Sequence, residues 1–305
     1  MVEAGQVAEA IGAHWDQRRF GAERPIRWMT HPWVIAKVNR LAGDIESETW
    51  GAGLLARLQA KHADALPFKR GIAVACGNGL VELDLVKRGI VERFECFDFA
   101  EQRIAVGRKR AKQAGLGDRV NYHTSDAFAE VTGSGEFDFV HWRNAIHHML
   151  DTREAIAWSA RCLVPGGVLY LDDYVGPSRF QYPDDQMAVF NEVYAALPRR
   201  FLARHGPDAG FYPRRLERPD EAAVIRVDPS EAADSANIVP ALIESFPDAD
   251  IVRVSGGLFQ AGLHDIMGNF DPERDAAVLN LLWAHERTLV AHGQLNWAQA
   301  LARKA

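Results

Sequence analysis

Between residues 70 and 175 the chain alternates short apolar runs with segments of helical repeat. GIAVAC, RFECFDF, RVNYHTSD, EFDFVHW and VLYLDDYV have the length and apolar content of strands. Between them, LVELDLVKRG and AEQRIAVGRKRAKQAG repeat their apolar positions at helical spacing, the second ending at Gly115. DTREAIAWSARCLVPGG starts with Asp151 as an N-cap and stops before Pro165. Strands that alternate with helices predict right-handed crossovers and a doubly wound, mostly parallel α/β sheet.

The flanks break this rhythm. Residues 1–67 read as a polar helical cap that holds Trp15, Trp28, Trp33 and Trp50, half of the eight tryptophans. They are expected as core or as a lid over a pocket. Residues 68–305 read as the main domain, with a turn-rich, aromatic insertion over about 176–228 after strand five. PSEAADSANIVPALIESF returns to helix and DIVRVSG to strand. GGLFQAGLHDIMGNF, with His264 and Asp265, is a second insertion expected to give a pocket wall or a homodimer contact. A long helix precedes NWAQALARK, read as a final edge strand.

Composition narrows the function classes. Apolar residues make up 48% and charged residues 25% of 305, ordinary for a globular chain. The net charge of −6 and the lack of a basic aromatic stripe speak against a nucleic-acid partner. No run approaches 18 apolar residues, so no membrane span is expected. The three cysteines, Cys76, Cys96 and Cys162, lack metal or disulfide spacing. With no signal-peptide pattern at the start, they point to the reducing cytoplasm.

The candidate chemistry centres on AVACGNGL. Gly77 and Gly79, between a strand and a helix, accept positive φ and let a ligand approach bare backbone. A dinucleotide fold would want a third glycine where Glu82 stands, which counts against NAD and FAD. Asp98 ends the second strand, placed to accept hydrogen bonds from ribose hydroxyls or to cap the next helix. Asp126 ends the third strand, placed to accept from an adenine amino group or to cap a turn.

In this order, with FDFVHWRNAIHH at strand four and LVPGGVLYLDD at strand five, the motifs resemble the class I S-adenosylmethionine-dependent methyltransferases, over about residues 68–175. The resemblance implies a seven-stranded sheet, S-adenosylmethionine as cofactor and S-adenosylhomocysteine as product. By position, Ala75, Cys76, Gly77, Asn78 and Gly79 would hold the methionine portion. Asp98 would hold the ribose, with Phe99 against the adenine. Asp126 and Ala127 would hold the adenine, and Arg143 and Asn144 would border the sulfonium. The chain departs from the family at Ala73, where an acid is usual, and at Ala75, where glycine is frequent.

Methyl transfer to a hydroxyl needs a base, and histidine titrates in the right range. His148 is the first candidate, with His147 and Asp173 beside it. Asp172 and Asp173 with a histidine could also take a divalent metal, although no third carboxylate has an obvious place and no metal ligand is assigned. Tyr174, Arg179 and Phe180 are candidate substrate contacts, and Arg214 and Arg215 could meet an anion. The expected function is O-methylation of a small molecule: a sugar, a glycan precursor or a secondary metabolite. N-methylation and non-catalytic cofactor binding are the alternatives.

Overall fold

The computed structural model describes residues 26–204 and 209–305, with Gly12 besides. Trp15 lies outside the described residues. Seven strands form one sheet: β1 Phe68–Val74, β2 Val91–Phe97, β3 Val120–His123, β4 Phe137–Arg143, β5 Leu163–Tyr174, β6 Asp250–Ser255 and β7 Trp297–Arg303. Their spatial order is β3-β2-β1-β4-β5-β7-β6. The first five pair in parallel, and β7 runs antiparallel to both of its neighbours. The order reverses between β1 and β4, which opens a crevice at the carboxyl ends of these strands.

The longer helices among the described residues are α1 Pro32–Gly43, α2 Ala52–Lys61, α3 Leu80–Lys87, α4 Glu101–Gln113, α5 Thr152–Cys162, α6 Asp184–Ala196, α7 Ile238–Ser245 and α8 Ala276–Ala291. Asp151 caps α5 by accepting from the Glu154 N–H at 2.9 Å. Phe68, Phe94 and Phe139, all fully buried, pack one sheet face against α3 and α4. Trp142, Ile156 and Leu242 pack the other against α5 and α7.

NWAQALARK is an interior strand and not an edge. It fills the gap between β5 and β6, and residues 297–302 are all buried. Its alternation is hidden because both faces are covered. The edge position falls to β6.

The described part of residues 1–67 is joined to this sheet. Trp28 and Trp50 are buried and meet Trp297 edge-on, with centroids 5.1 and 6.0 Å away. Trp33 stacks on Phe259. Trp28 and Trp50 are core residues, and Trp33 packs half-buried against that core. Arg57 on α2 grips Asp250 on the edge strand through two 2.6 Å hydrogen bonds. Within the turn-rich insertion, residues 221–227 form a short helix capped by Asp220. Leu258–Gly262 and His264–Asn269 form two short helical turns packed into the core beside Phe190 and Phe201.

Candidate active site

At the carboxyl ends of β1, β2 and β4 lies a cavity of about 580 Å³. Its lining includes Ala75, Cys76, Gly77, Asn78, Asp98, Phe99, Asp126, Ala127, Arg143, Asn144 and His148. Residues from four separate motifs thus meet in one hollow. The volume lies in the range of about 300–1,000 Å³ usual for small-molecule sites.

The loop after β1 explains its glycines. Gly77 has φ +60°, and its N–H donates to Asp98 Oδ2 at 2.7 Å. The other Asp98 oxygen accepts from the Ala100 N–H at 2.8 Å. Asp98 therefore ties the first loop to the second while facing the cavity. Asp126 lines the cavity and also caps the turn that follows, accepting from the Phe128 N–H at 2.9 Å.

Gly79 plays a different part from the one expected. It does not line the cavity. It sits at φ +57° at the start of α3, and a Cβ there would lie 2.5 Å from the Tyr122 ring. Gly107 on α4 meets the same ring just as closely. The second glycine of the loop is a packing residue that seats α3 and α4 around Tyr122.

Ala73 fills the position of the usual acid. It is buried, in register with Cys96 on β2 and His141 on β4. A carboxylate does lie nearby: Glu82, 4% exposed, is held by His141 Nδ1 at 2.7 Å. The position that a third glycine would take is thus occupied by a buried hydrogen-bond partner of His141.

At the β4 end the two histidines part. His148 lines the cavity, with its Nδ1 3.0 Å from Ser230 Oγ. His147 does not line the cavity, and its Nδ1 lies 2.5 Å from Asp173 Oδ1. Burial pushes the His147 imidazole down, but the charges and hydrogen bond of Asp173, with Glu231, outweigh it and leave its pKa raised. Asp173 also accepts from the N–H groups of Ala145 and Ile146, at 2.7 and 2.9 Å, so it shapes the turn after β4 without reaching the cavity.

Asp172 points to the opposite sheet face, as alternation along a strand requires. It accepts from the Trp50 and Trp297 indoles, at 2.7 and 2.8 Å, and from Gln299 at 3.1 Å. Burial raises its pKa despite the Arg143 guanidinium 3.7 Å away. The two aspartates cannot share a metal. His147, His148 and Glu231 do bring donor atoms within 4.8 Å of one another and could hold a divalent ion. The same donors also suit an imidazolium at His147, between Asp173 and Glu231.

Three sequence candidates for substrate contact lie away from the cavity. Tyr174 is buried and donates to the Pro177 carbonyl at 2.9 Å, and Phe180 packs on its ring. Arg179 donates to the carbonyls of Glu231 and Pro229, at 2.9 and 2.7 Å. Arg214 binds the Ala195 and Leu197 carbonyls at the end of α6. No described residue of 176–228 lines the cavity; Ser230, two positions later, does. The sequence reading missed Arg103, Ser125, Phe128 and Ser230 as lining residues. The first three follow from their places just after β2 and β3, but nothing near Ser230 in the chain signals its position.

The sheet order, the switch-point cavity and the paired glycine and acidic loops fit the class I S-adenosylmethionine-dependent methyltransferase fold. Residues 72–167 match the profile of a family described as a methyltransferase domain. A 27-O-demethylrifamycin SV methyltransferase of Amycolatopsis mediterranei is 30% identical over 168 residues, 53% of this chain and 61% of that protein. A ubiquinone/menaquinone biosynthesis C-methyltransferase of Roseobacter denitrificans is 26% identical over 161 residues, 51% of this chain and 62% of that one. The chain thus spans less than two thirds of the length of these curated relatives. A geranyl diphosphate C-methyltransferase of Streptomyces coelicolor shares the fold at a TM-score of 0.53 and 12% identity, over 100% of both chains. A Haemonchus contortus phosphoethanolamine N-methyltransferase does so at 0.52 and 15%, over 96% of this chain and 60% of that one.

The residues present suit the cofactor of this class. Asp98 and Asp126 supply carboxylate acceptors on two successive loops, and Val74, Phe97 and Phe128 supply apolar walls between them. No described helix is long and apolar enough to cross a membrane.

Proposed function

We propose that this chain transfers a methyl group from S-adenosylmethionine to an oxygen atom of a small molecule. Bound cofactor supplies an electrophilic methyl on a sulfonium. The chain's residues hold the two reactants in line, keep water out and take up the hydroxyl proton. Asp98 and Asp126 hold the ribose and the adenine. Arg143 and Asn144, at the end of β4, border the reacting end.

One observation carries the choice of oxygen: His148 lines the cavity next to Arg143 and Asn144. A neutral imidazole there can accept a proton near neutral pH. An amine acceptor has a lone pair already and needs this help less. Named relatives act at oxygen, carbon and nitrogen and leave the acceptor open, and the histidine in the cavity is what supports oxygen.

The test is methyl labelling of small-molecule extracts with isotopic S-adenosylmethionine, followed by turnover of the labelled acceptor by wild type and His148→Ala. Loss of about 10²–10⁴-fold in turnover fits a base at oxygen. A loss below about tenfold points to nitrogen. No labelled product with tight cofactor binding would leave a binding protein without transfer activity.

A further inference from the structure

We infer that Arg143 and Asn144 form a carboxylate-binding corner at the reacting end of the cavity, so that the methyl acceptor is a hydroxylated carboxylic acid with an apolar body. Both residues line the cavity at the end of β4. A guanidinium is cationic in any protein and offers five N–H donors. Among the described residues Arg143 uses one of them, from Nη2 to the Trp50 carbonyl at 3.3 Å. Its side chain stays within reach of a ligand, 25% exposed. Asp172 does not take up the rest. Its nearest approach is 3.7 Å, and both of its oxygens already accept from Trp50, Trp297 or Gln299. Burial also pushes the Asp172 carboxyl up against the pull of Arg143, which weakens its hold on the guanidinium charge.

Asn144 adds a donor placed by strained backbone. Its φ is +49°, a left-handed value that asparagine tolerates when its carboxamide bonds locally. Here the carboxamide makes no hydrogen bond among the described residues, and Asn144 is exposed where it lines the cavity. Strain of this kind collects at ligand sites. The turn is held from behind. The Asn144 N–H donates to the Asp172 carbonyl at 2.9 Å, and the next two N–H groups donate to Asp173. The aspartates that end β5 thus stay out of the cavity and fix the residue that enters it.

Charge and shape select the ligand. The carboxylates among the described lining residues are Asp98 and Asp126, after β2 and β3, on the far side of β1 from Arg143. The β4 end therefore favours an anion, and the sulfonium of bound cofactor adds to that. One guanidinium and one amide match the two oxygens of a carboxylate, whereas a phosphate dianion would need a further cation. Met149 and Leu150 continue the wall and offer an apolar face to the body of the acceptor. The cofactor's own carboxylate has a different cation at hand. Arg103 Nη1 lies 3.5 Å from the Cβ position of Gly77, on the β2 side of the loop that would hold the methionine portion. Arg143 and Asn144 bind and orient, and no bond to the acceptor's carboxylate forms or breaks. The acceptor role rests on the methyl-transfer reading above; carboxylate binding does not, because it is measured without transfer.

The experiment is a ligand-observed NMR titration of the full chain, saturated with S-adenosylhomocysteine, using the three hydroxybenzoate isomers and the primary amide of each. At least one acid should bind about tenfold or more tighter than its amide, the ratio that a hydrogen bond to a charged group confers. Arg143→Gln should abolish that preference and Arg143→Lys should keep part of it. Asn144→Gly relieves the left-handed φ, so it should weaken the acid about threefold or more without lowering Tm. A merely structural Asn144 would leave acid binding unchanged. Wild type that binds no acid better than its amide overturns the inference, and so does a preference that survives in folded Arg143→Gln. A second arm compares S-adenosylhomocysteine with 5′-methylthioadenosine, which lacks the amino-acid carboxylate. Any loss in Arg143→Gln should be equal for the two; a loss confined to S-adenosylhomocysteine assigns Arg143 to the cofactor and overturns the inference. If wild type does not bind S-adenosylhomocysteine, the methyltransferase reading fails, and the acid-to-amide ratio of the unliganded chain still decides the carboxylate corner.

Discussion

Replacing Gly79 by alanine should cost far more than the same change at Gly77, although the two glycines belong to one loop. Both have positive φ, +60° and +57°, so each substitution incurs the left-handed penalty of about 1–2 kcal/mol. At Gly77 the nearest group is the end of the Arg103 side chain, 3.5 Å from the new Cβ, which is ordinary contact. At Gly79 the new Cβ falls 2.5 Å from Tyr122 Cε1, closer than any real Cβ contact. The ring has little room to yield, since Gly107 packs on it and its hydroxyl donates to the Gly79 carbonyl at 3.2 Å. Forced overpacking of this kind costs about 1–3 kcal/mol more. The expectation is a loss of about 1–2 kcal/mol for Gly77→Ala and about 2–5 kcal/mol for Gly79→Ala. Urea unfolding of both variants measures this. A double-mutant cycle with Tyr122→Leu isolates the overlap, because truncating the ring should cost less once alanine occupies position 79. Equal losses for the two variants, or a cycle with no coupling, would refute the assignment of Gly79 to packing.

Asp172→Leu leaves two buried indole N–H groups and the Gln299 amide without their acceptor. At about 1–3 kcal/mol for each of the three stranded donors, chemical denaturation should show a loss of roughly 3–9 kcal/mol. A loss under about 1 kcal/mol would mean that Trp50 is not held to the sheet through this carboxylate. Asp250, paired with Arg57 and Lys61, has its pKa lowered from 3.8 to about 2. A carboxylate depressed in the folded state adds stability above its unfolded pKa and loses it as pH falls through the folded one. The gap is worth at most about 2 kcal/mol before solvent screening. Asp250→Asn should therefore lower the melting temperature at pH 7, and the difference from wild type should narrow steadily below about pH 4. A difference that stays constant down to pH 3 would contradict the pairing.

The parallel half of the sheet was legible because each of its elements carries a local signal. The apolar runs of β1 to β5, the Asp151 cap and the turn at Gly115 need no distant partner to be recognised. The cavity residues at the ends of β1 and β2 were legible for the same reason, since each follows a strand of its own. What escaped depends on contacts across the chain. The antiparallel insertion of β7 between β5 and β6 is set by burial on both faces, which a seven-residue run cannot announce. Tyr174, Arg179 and Phe180 follow β5 in sequence, yet the chain turns away from the cavity there and uses Arg179 to brace a loop. Ser230 reaches His148 across 82 residues, and no spacing rule links the two. Gly79 reads as a ligand residue only until Tyr122, 43 positions on, is seen against it.

We propose that the cavity at the ends of β1, β2 and β4 binds S-adenosylmethionine through Asp98. The most direct measurement is calorimetric titration of the full chain with S-adenosylhomocysteine, with NAD as a control and Asp98→Ala alongside. The expected result is one site per chain of micromolar affinity, about −8 kcal/mol, lost in a variant that is still folded, and no heat with NAD. No binding of the sulfur compound to wild type, or equal binding to Asp98→Ala, would contradict it.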